Sequence, residues 1–442
     1  MRGETAVAIA ASVRAGDRTA VEATRAALDA IAATDSDVGA FRVVRREAAL
    51  AEAAAVDSRT DRYALPLAGV PVAIKDNVDV AGERILDGVS GAAAAGIAPS
   101  SGDHPVVRRL RAAGAVVVGL TRVPELCLWG TTDDSDVITR SPARPGRTAG
   151  GSSGGSGAAV SAGHVPLAHG NDGMGSLRVP GAACSLVAIK PGTGVVPAQL
   201  GANNWFTMAE NGPMAATVAD AALGLAVMAD RPELADLGDA AGLRIGLGLN
   251  RPTPATFARP GVLAAVRAAA AQLSAHGLSV ADFRVPYPAD PSVVLARWFA
   301  VAAVDADDLA ARGVDLRALQ PRTRRHVAIG RVALRRGWVR PADAAALRSR
   351  VERAFADARI DILVTPTLTS EPIAARRYSA RSWVANVVPN VAYAPYPSMW
   401  NVLGWPAMTV PFRGVGVQLV ARPGGEADLL AVGALLERTA RS

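Results

Sequence analysis

The chain has 442 residues, and half of them are hydrophobic, so it is long enough to bury a large core as one domain or several. Its 47 basic and 40 acidic residues give a formal net charge of +7, without any run of five like charges. This dispersed charge argues against a nucleic-acid or membrane partner, and no uninterrupted apolar stretch is long enough to span a bilayer. We expect a soluble protein of the cytoplasm.

The first part of the chain predicts helices followed by an α/β sheet. Apolar residues recur at helical spacing over residues 5–56, which indicates two or three helices. The stretch 67–80 contains a buried strand of Val, Ala and Ile that ends at Lys75. A helix over 103–113 and a second buried strand over 115–120 follow, and this order of strand, helix and strand is typical of a sheet covered by helices on both faces.

The remainder shows no internal repeat and no linker that would force a domain boundary. The basic run at residues 322–326 is interpreted as the solvated face of a helix. Cys127 and Cys184 lie among apolar neighbours and are interpreted as buried hydrophobes rather than a disulfide, and a metal site has no ligand cluster to use. The other predicted elements are helices over 216–229, 261–276 and 341–358, strands over 361–369 and 415–421, and a closing C-terminal helix.

Lysine usage singles out one position. Lys75 and Lys190 are the only lysines, so this chain uses arginine wherever else it places a long basic side chain. Arginine cannot lose its proton at accessible pH, whereas the pKa of a desolvated lysine can fall by several units, which allows it to act as a base. Lys75, at the end of a buried strand, is therefore a candidate catalytic base. The alternative is a strand-end lysine paired with Asp76 or Asp79, and composition alone leaves both open.

Two Gly/Ser clusters follow. GGSSGGSG at 150–157 could form a flexible linker or a phosphate-binding nest, but apolar patterns enter it from both sides and the Gly-Lys-Ser/Thr ending of a phosphate loop is absent. In GNDGMGSLRVP at 170–180, glycines precede Ser176 in a turn that can point several N–H groups into one space, as a tetrahedral oxyanion requires. Asp172 and Arg178 can brace this turn as an ion pair. The five histidines show no Ser-His-Asp arrangement.

Three motifs therefore occur in a fixed order: GVPVAIKDN at 69–77, then GGSSGGS at 150–156, then GNDGMGSLRVP at 170–180. Downstream segments such as LVTPTL at 363–368 and WNVLGWPAMTVP at 400–411 continue the same order. Together these motifs resemble the amidase signature family of serine hydrolases.

The resemblance implies an α/β fold in which a large mixed β-sheet is covered on both faces by helices, within a single amidase domain over residues 1–442. The expected parts are N-terminal helices over 1–60, a signature core over 65–230, a variable helical region over 240–390 and a C-terminal return to the core sheet over 395–442.

The resemblance also implies a catalytic triad without histidine. Ser176 would be the nucleophile, Ser152 the bridging serine after a cis peptide bond with Gly151, and Lys75 the neutral base. The substrate would be a small-molecule amide, cleaved at its C–N bond through an acyl-enzyme without metal or cofactor. A homodimer is one possible oligomeric state. The oxyanion hole would consist of the N–H groups of Gly173, Met174, Gly175 and Ser176, supported by Ser153, Asp172 and Arg178.

Departures from the family pattern indicate an altered substrate pocket. Met174 replaces a usual glycine, ILDGVSG at 85–91 replaces a Thr-Thr-Gly-rich segment, and Leu120 and Arg122 stand where Lys and Asn are frequent. Substrate contacts are predicted in the segment 199–211, where the apolar side chains could equally belong to the core. The candidate substrate-binding residues there are Trp205, Phe206 and Met208.

These apolar candidates favour an amidase for a small aryl or alkyl amide. One alternative is a glutaminase-type subunit that supplies ammonia to a partner, which would need a charged pocket and a copurifying partner. Another is a non-hydrolytic binding homologue, which the presence of Lys75, Ser152 and Ser176 argues against.

Overall fold

The computed structural model describes residues 3–91, 93–201 and 203–441, and within these ranges eleven strands form a single sheet. The strands are β1 (Phe41–Val44), β2 (Pro71–Lys75), β3 (Val116–Thr121), β4 (Leu167–Asp172), β5 (Val187–Lys190), β6 (Glu210–Ala215), β7 (Arg244–Leu247), β8 (Ser279–Asp282), β9 (Ile362–Pro366), β10 (Ala407–Phe412) and β11 (Val415–Ala421). Their spatial order is β1-β3-β2-β4-β6-β5-β10-β11-β9-β7-β8.

The sheet is mixed, and its parallel part positions the candidate catalytic residues. β2 pairs in parallel with both β3 and β4, so the carboxyl ends of these strands lie at the same edge of the sheet. Lys75 and Asp172 are the last residues of β2 and β4. Every residue of β2, β3 and β4 is buried, as expected for strands covered on both faces.

Helices cover the sheet, and their ends follow ordinary capping chemistry. Thr19 and Glu22 form a reciprocal capping box at the start of one helix, and Gly39 ends the same helix with a positive φ of 67°. The helices are Ala6–Ala15, Ala20–Val38, Arg46–Asp57, Pro105–Ala112, Gly154–Ser161, Arg178–Ala183, Val218–Ala229, Pro260–Ala275, Ser292–Ala311, Pro321–Arg335, Pro341–Asp357, Trp383–Tyr393, Ser398–Leu403 and Glu426–Arg441. No helix in the described ranges is long and apolar enough to cross a membrane.

The predicted fold class, a large mixed sheet between helices, is confirmed. The 240–390 region is not only helical, because it contributes three strands to one side of the common sheet. β1, β5, β6, β8 and β10 and the helix Ser292–Ala311 were not predicted from the sequence. Both cysteines are buried free thiols, as predicted.

The interpretation of residues 322–326 as a solvated helix face is wrong for part of the run. Arg324 and Arg325 are exposed, but Arg322 and His326 are fully buried. The Arg322 guanidinium donates to Asn386 Oδ1 at 2.8 Å and lies 5.1 Å from the Trp129 ring centroid. A helical run of basic residues can therefore present one face to solvent and insert the other into the core, where the charge is satisfied by polar partners.

Candidate active site

Lys75 is completely buried at the end of β2. Its Nζ lies 2.8 Å from Ser152 Oγ, 2.5 Å from Asn171 Oδ1 and 3.4 Å from the Asn171 carbonyl oxygen. Asp76 turns away and pairs with Arg42 at 2.5 Å. Lys75 therefore contacts neutral hydrogen-bonding groups rather than its neighbouring carboxylate, which is the environment of a lysine that can be neutral.

Burial lowers the pKa of Lys75, because removal of water disfavours the ammonium form. The charge of Asp172 opposes this shift only in part. Cys127 lies next to Lys75 and Ser152, and burial raises the pKa of its thiol to about 12, so the thiol is uncharged at neutral pH. Neutralisation of Lys75 is thus favoured by the same burial that keeps the neighbouring thiol protonated.

The first Gly/Ser cluster brings Ser152 to Lys75. The peptide bond between Gly151 and Ser152 is cis, and a Cβ on Gly151 would lie 2.3 Å from the Trp129 carbonyl oxygen, so only glycine fits there. Ser153 ties this cluster to the second one. Its N–H donates to the Ser176 carbonyl at 3.2 Å, and its hydroxyl donates to the Asn171 carbonyl at 3.0 Å.

The second cluster is a turn held by Asp172 at the end of β4. Its carboxylate accepts the N–H of Gly175 at 2.5 Å and that of Leu177 at 3.2 Å, and it pairs with Arg178 at 2.9 Å. Both charged side chains of the pair are fully buried. Burial opposes ionisation of Asp172, but the Arg178 guanidinium and the Asn401 amide outweigh it and hold the pKa of Asp172 well below its ordinary value. The predicted ion pair therefore fixes the turn that carries Ser176.

Replacement of Asp172 by asparagine should lower the free energy of unfolding by about 3–5 kcal/mol, because it leaves the Arg178 charge buried without its partner. Urea denaturation at neutral pH measures this loss. Since the pKa of Asp172 is lowered in the folded protein, its contribution is present above about pH 4 and is lost as the pH falls toward the lowered pKa.

The matched control is Asp307→Asn, which removes an exposed ion pair with Arg331. It should cost less than about 1 kcal/mol. An equal, small loss in both variants would show that the buried pair does not hold the turn.

Three N–H groups of the turn are free to receive an oxyanion. In the described part of the chain, the N–H groups of Gly173, Met174 and Ser176 donate to no other protein atom, whereas the Gly175 N–H is bound to Asp172. Four N–H groups were predicted to form an oxyanion hole. The Gly175 N–H braces the turn instead, so three of the four are available as donors. The Ser176 hydroxyl also has no hydrogen-bond partner among the described residues and is half-buried, so it is accessible from the adjoining cavities.

Two cavities meet at Ser176, Cys127 and Trp205. The first, here called the polar cavity, has a volume of about 540 Å³ and includes Ser152, Asn171 and several carboxylates. The second, here called the apolar cavity, has a volume of about 450 Å³. The side chains that make it apolar are Trp129, Met174, Val179, Val294, Leu295, Trp298 and Met399.

The structure separates the residues predicted to bind substrate. Trp205 lies in a left-handed turn over Asn204–Thr207 and lines both cavities, and a Cβ on Gly173 would lie 2.5 Å from its ring. Met174 lines the apolar cavity. Phe206 lines neither cavity, and Met208 is buried in the core with its carbonyl accepting from Asn401. A turn places its neighbouring side chains in different directions, so the structure does not bring these last two candidates to the cavities at Ser176.

Sequence reasoning missed several residues that shape the site. Trp129 and Trp298 pack edge to face with ring centroids 6.0 Å apart at the wall of the apolar cavity. Asn171 accepts a hydrogen bond from Lys75 through its Oδ1, and although it precedes Asp172 in the second cluster it was not predicted as a site residue. Asn171 could have been found as a polar residue at the end of the strand, whereas nothing local to Trp129 or Trp298 marks them as neighbours of Ser176.

The chain is similar in sequence to a protein named as an amidase and to an amidotransferase subunit. The chain is 40% identical over 428 residues to a Mycobacterium tuberculosis protein named "Putative amidase AmiB2", with 93% of this chain and 90% of the relative covered. It is 34% identical over 485 residues to a glutamyl-tRNA(Gln) amidotransferase subunit of Chloroflexus aurantiacus, with 98% of this chain and 96% of the relative covered.

Solved structures show the same fold. The structure of 6-aminohexanoate cyclic dimer hydrolase superimposes with a TM-score of 0.89 at 28% identity, with 99% of this chain and 97% of that chain covered. A bacterial aryl acylamidase superimposes with a TM-score of 0.84 at 24% identity, with 99% and 96% covered, which supports the fold alone. The family model described as Amidase matches residues 22–430, and the chain therefore belongs to the amidase signature family of amidohydrolases.

Proposed function

We propose that this amidohydrolase cleaves the amide of a small apolar or aryl carboxylic acid through an acyl-enzyme on Ser176. The observation that carries the proposal is the apolar cavity that adjoins the accessible Ser176 hydroxyl. Transfer of an apolar acyl group from water into this apolar cavity lowers the free energy. The aromatic rings of Trp129 and Trp298 provide flat surfaces for an aryl group.

In the proposed mechanism, neutral Lys75 accepts the proton of Ser152 while Ser152 accepts that of Ser176. Ser176 Oγ then bonds to the carbonyl carbon, and the resulting oxyanion accepts hydrogen bonds from the N–H groups of Gly173, Met174 and Ser176. As the C–N bond breaks, the proton returns through Ser152 to the leaving nitrogen. Water, activated by the same relay, releases the acid and regenerates Ser176. The 2.8 Å contact of Lys75 with Ser152 supports the first step, and the contact between the two serines is expected to form with bound substrate.

Benzamide should be hydrolysed with a kcat/KM at least about 10²-fold above that of glutamine, because the polar side chain of glutamine would lose its hydration in the apolar cavity.

Met174→Ala should lower the ratio of kcat/KM for benzamide to that for acetamide by about tenfold, since it removes apolar contact next to Ser176 while keeping the backbone N–H. Ammonia release measures all three substrates. An unchanged ratio would contradict the expected contact between Met174 and the acyl group.

The same assay tests the alternative of a subunit that supplies ammonia from glutamine, which the 34% identity to an amidotransferase subunit keeps in view. Preference for glutamine over benzamide, together with a copurifying partner in gel filtration of the native protein, would overturn the proposal for an apolar amide.

A further inference from the structure

The two cavities that meet at Ser176 differ in the catalytic groups that they contact. Ser152 and Asn171 line the polar cavity but not the apolar one. Met174 and Gly175, in the turn that holds the nucleophile, line the apolar cavity but not the polar one. Gly173, in the same turn, lines the polar cavity, so the reaction centre opens into one cavity that contains the proton relay and a second, apolar cavity that the relay does not line.

This arrangement orients the scissile amide. The group that protonates the leaving nitrogen must lie within hydrogen-bond reach of it, and in the proposed mechanism that group is Ser152. The leaving amine is thus directed into the polar cavity. The acyl group, bonded to Ser176, then extends into the apolar cavity.

The polar cavity is rich in carboxylates. Those that line it are Asp79, Asp87, Asp305 and Asp308, whereas Arg312 is the one guanidinium among the described lining residues. Arg312 pairs with Asp87 at 3.1 Å and donates to the Ile85 carbonyl at 2.9 Å, and it lies 3.8 Å from Asp308.

The histidine of the polar cavity does not offset these carboxylates. Burial lowers the pKa of His104, so its ring is uncharged at neutral pH. Asp79 and Asp308 are exposed to solvent, whereas burial raises the pKa of Asp87, whose carboxylate pairs with Arg312. An excess of negative charge next to the reaction centre favours a cationic group within the cavity.

We propose that the leaving amine carries a second, positively charged amino group, so that the preferred substrate is a diamine acylated on one nitrogen by an apolar acid. This inference rests on the proposed function and adds the class of leaving group to it. The apolar cavity holds the acyl chain, and the carboxylates of the polar cavity hold the distal ammonium.

The test uses two pairs of amides that differ in charge at one position. In the first pair, N-(4-aminobutyl)benzamide is compared with the neutral N-pentylbenzamide. In the second pair the amide is reversed, so that 5-aminopentanoic anilide is compared with hexananilide. We expect the cationic member of the first pair to have about a tenfold higher kcat/KM, and the advantage to shrink at high salt because exposed charges are screened. The reversed pair should show no such advantage.

Asp308→Asn should lower the charge preference of the first pair by about threefold to tenfold, since one carboxylate near the ammonium is lost. The matched control is Asp307→Asn, on the same helix but paired with Arg331 outside the cavity, which should keep the preference.

The possible outcomes separate this inference from the proposed function. Equal or better turnover of N-pentylbenzamide would overturn the inference while leaving the aryl amidase in place. A charge preference found in the reversed pair instead would place the acyl group in the polar cavity and overturn the orientation. If neither benzamide is hydrolysed, the proposed function fails and the inference with it.

Discussion

Ser176→Ala should abolish amide hydrolysis, with turnover falling by about 10⁵-fold or more, because it removes the proposed nucleophile beside the free N–H groups of the turn. The same variant should lose covalent labelling by a fluorophosphonate, which reacts with an activated serine. Labelling is the sharper measurement, since it reports the nucleophile without requiring the right amide substrate.

Ser156→Ala provides the matched control for this experiment. Ser156 is also buried and belongs to the first Gly/Ser cluster, but its hydroxyl donates to the His169 carbonyl at 2.8 Å, away from Lys75. This variant should keep the label. Labelling that survives the loss of Ser176, or that is lost with Ser156 instead, would contradict the assignment of the nucleophile.

Lys75→Met should lower kcat/KM by about 10²- to 10⁴-fold, the usual contribution of a positioned base, while keeping an unbranched apolar side chain that lacks only the terminal amine position. In the wild-type enzyme, kcat/KM should fall as the pH falls through the pKa of Lys75, because the ammonium form cannot accept a proton. The lowered pKa of this lysine brings that decline below the range of an ordinary lysine.

Lys190 is the necessary control, because it is the other buried lysine and its pKa is also lowered by burial, with Glu210 opposing the shift. Lys190→Met should keep the acid side of the pH profile at the same position, although it removes the partner of a buried carboxylate and should cost stability. A pH profile that loses its acid limb in Lys190→Met would assign the titration to Lys190 rather than to Lys75.

Local sequence patterns were sufficient for the buried strands β2 and β3, whereas the triad was implied only by the resemblance of three ordered motifs to the amidase signature family. The continuous apolar run before Lys75 predicted a buried strand, and the structure places the whole of Pro71–Lys75 in the interior. The scarcity of lysine marked Lys75 as unusual, and the observed contact with Ser152 joins it to the first Gly/Ser cluster. The strand is a short-range signal, because strand burial depends on residues that are neighbours in the chain, whereas the scarcity of lysine is a property of the whole composition.

The walls of the site were not predictable in the same way. Trp298 belongs to a helix far beyond Ser176 in the chain, and its Nε1 donates to the Leu128 carbonyl across 170 positions of sequence. Arg178 reaches Asn401 at 2.6 Å and Gln418 at 2.8 Å, more than two hundred residues away. No pattern near any one of these residues specifies its partner, since the contact exists only after the sheet has formed.

The sequence by itself determined the buried strands β2 and β3 and marked Lys75, Ser152 and Ser176 as candidate catalytic residues, because strand burial and side-chain type are local properties. Only the tertiary structure decided that the Gly175 N–H braces the turn, that Phe206 and Met208 do not line the cavities at Ser176, and that the polar and the apolar cavity meet there. These features arise from packing between distant segments, where burial and geometry decide which groups meet and which remain free to react.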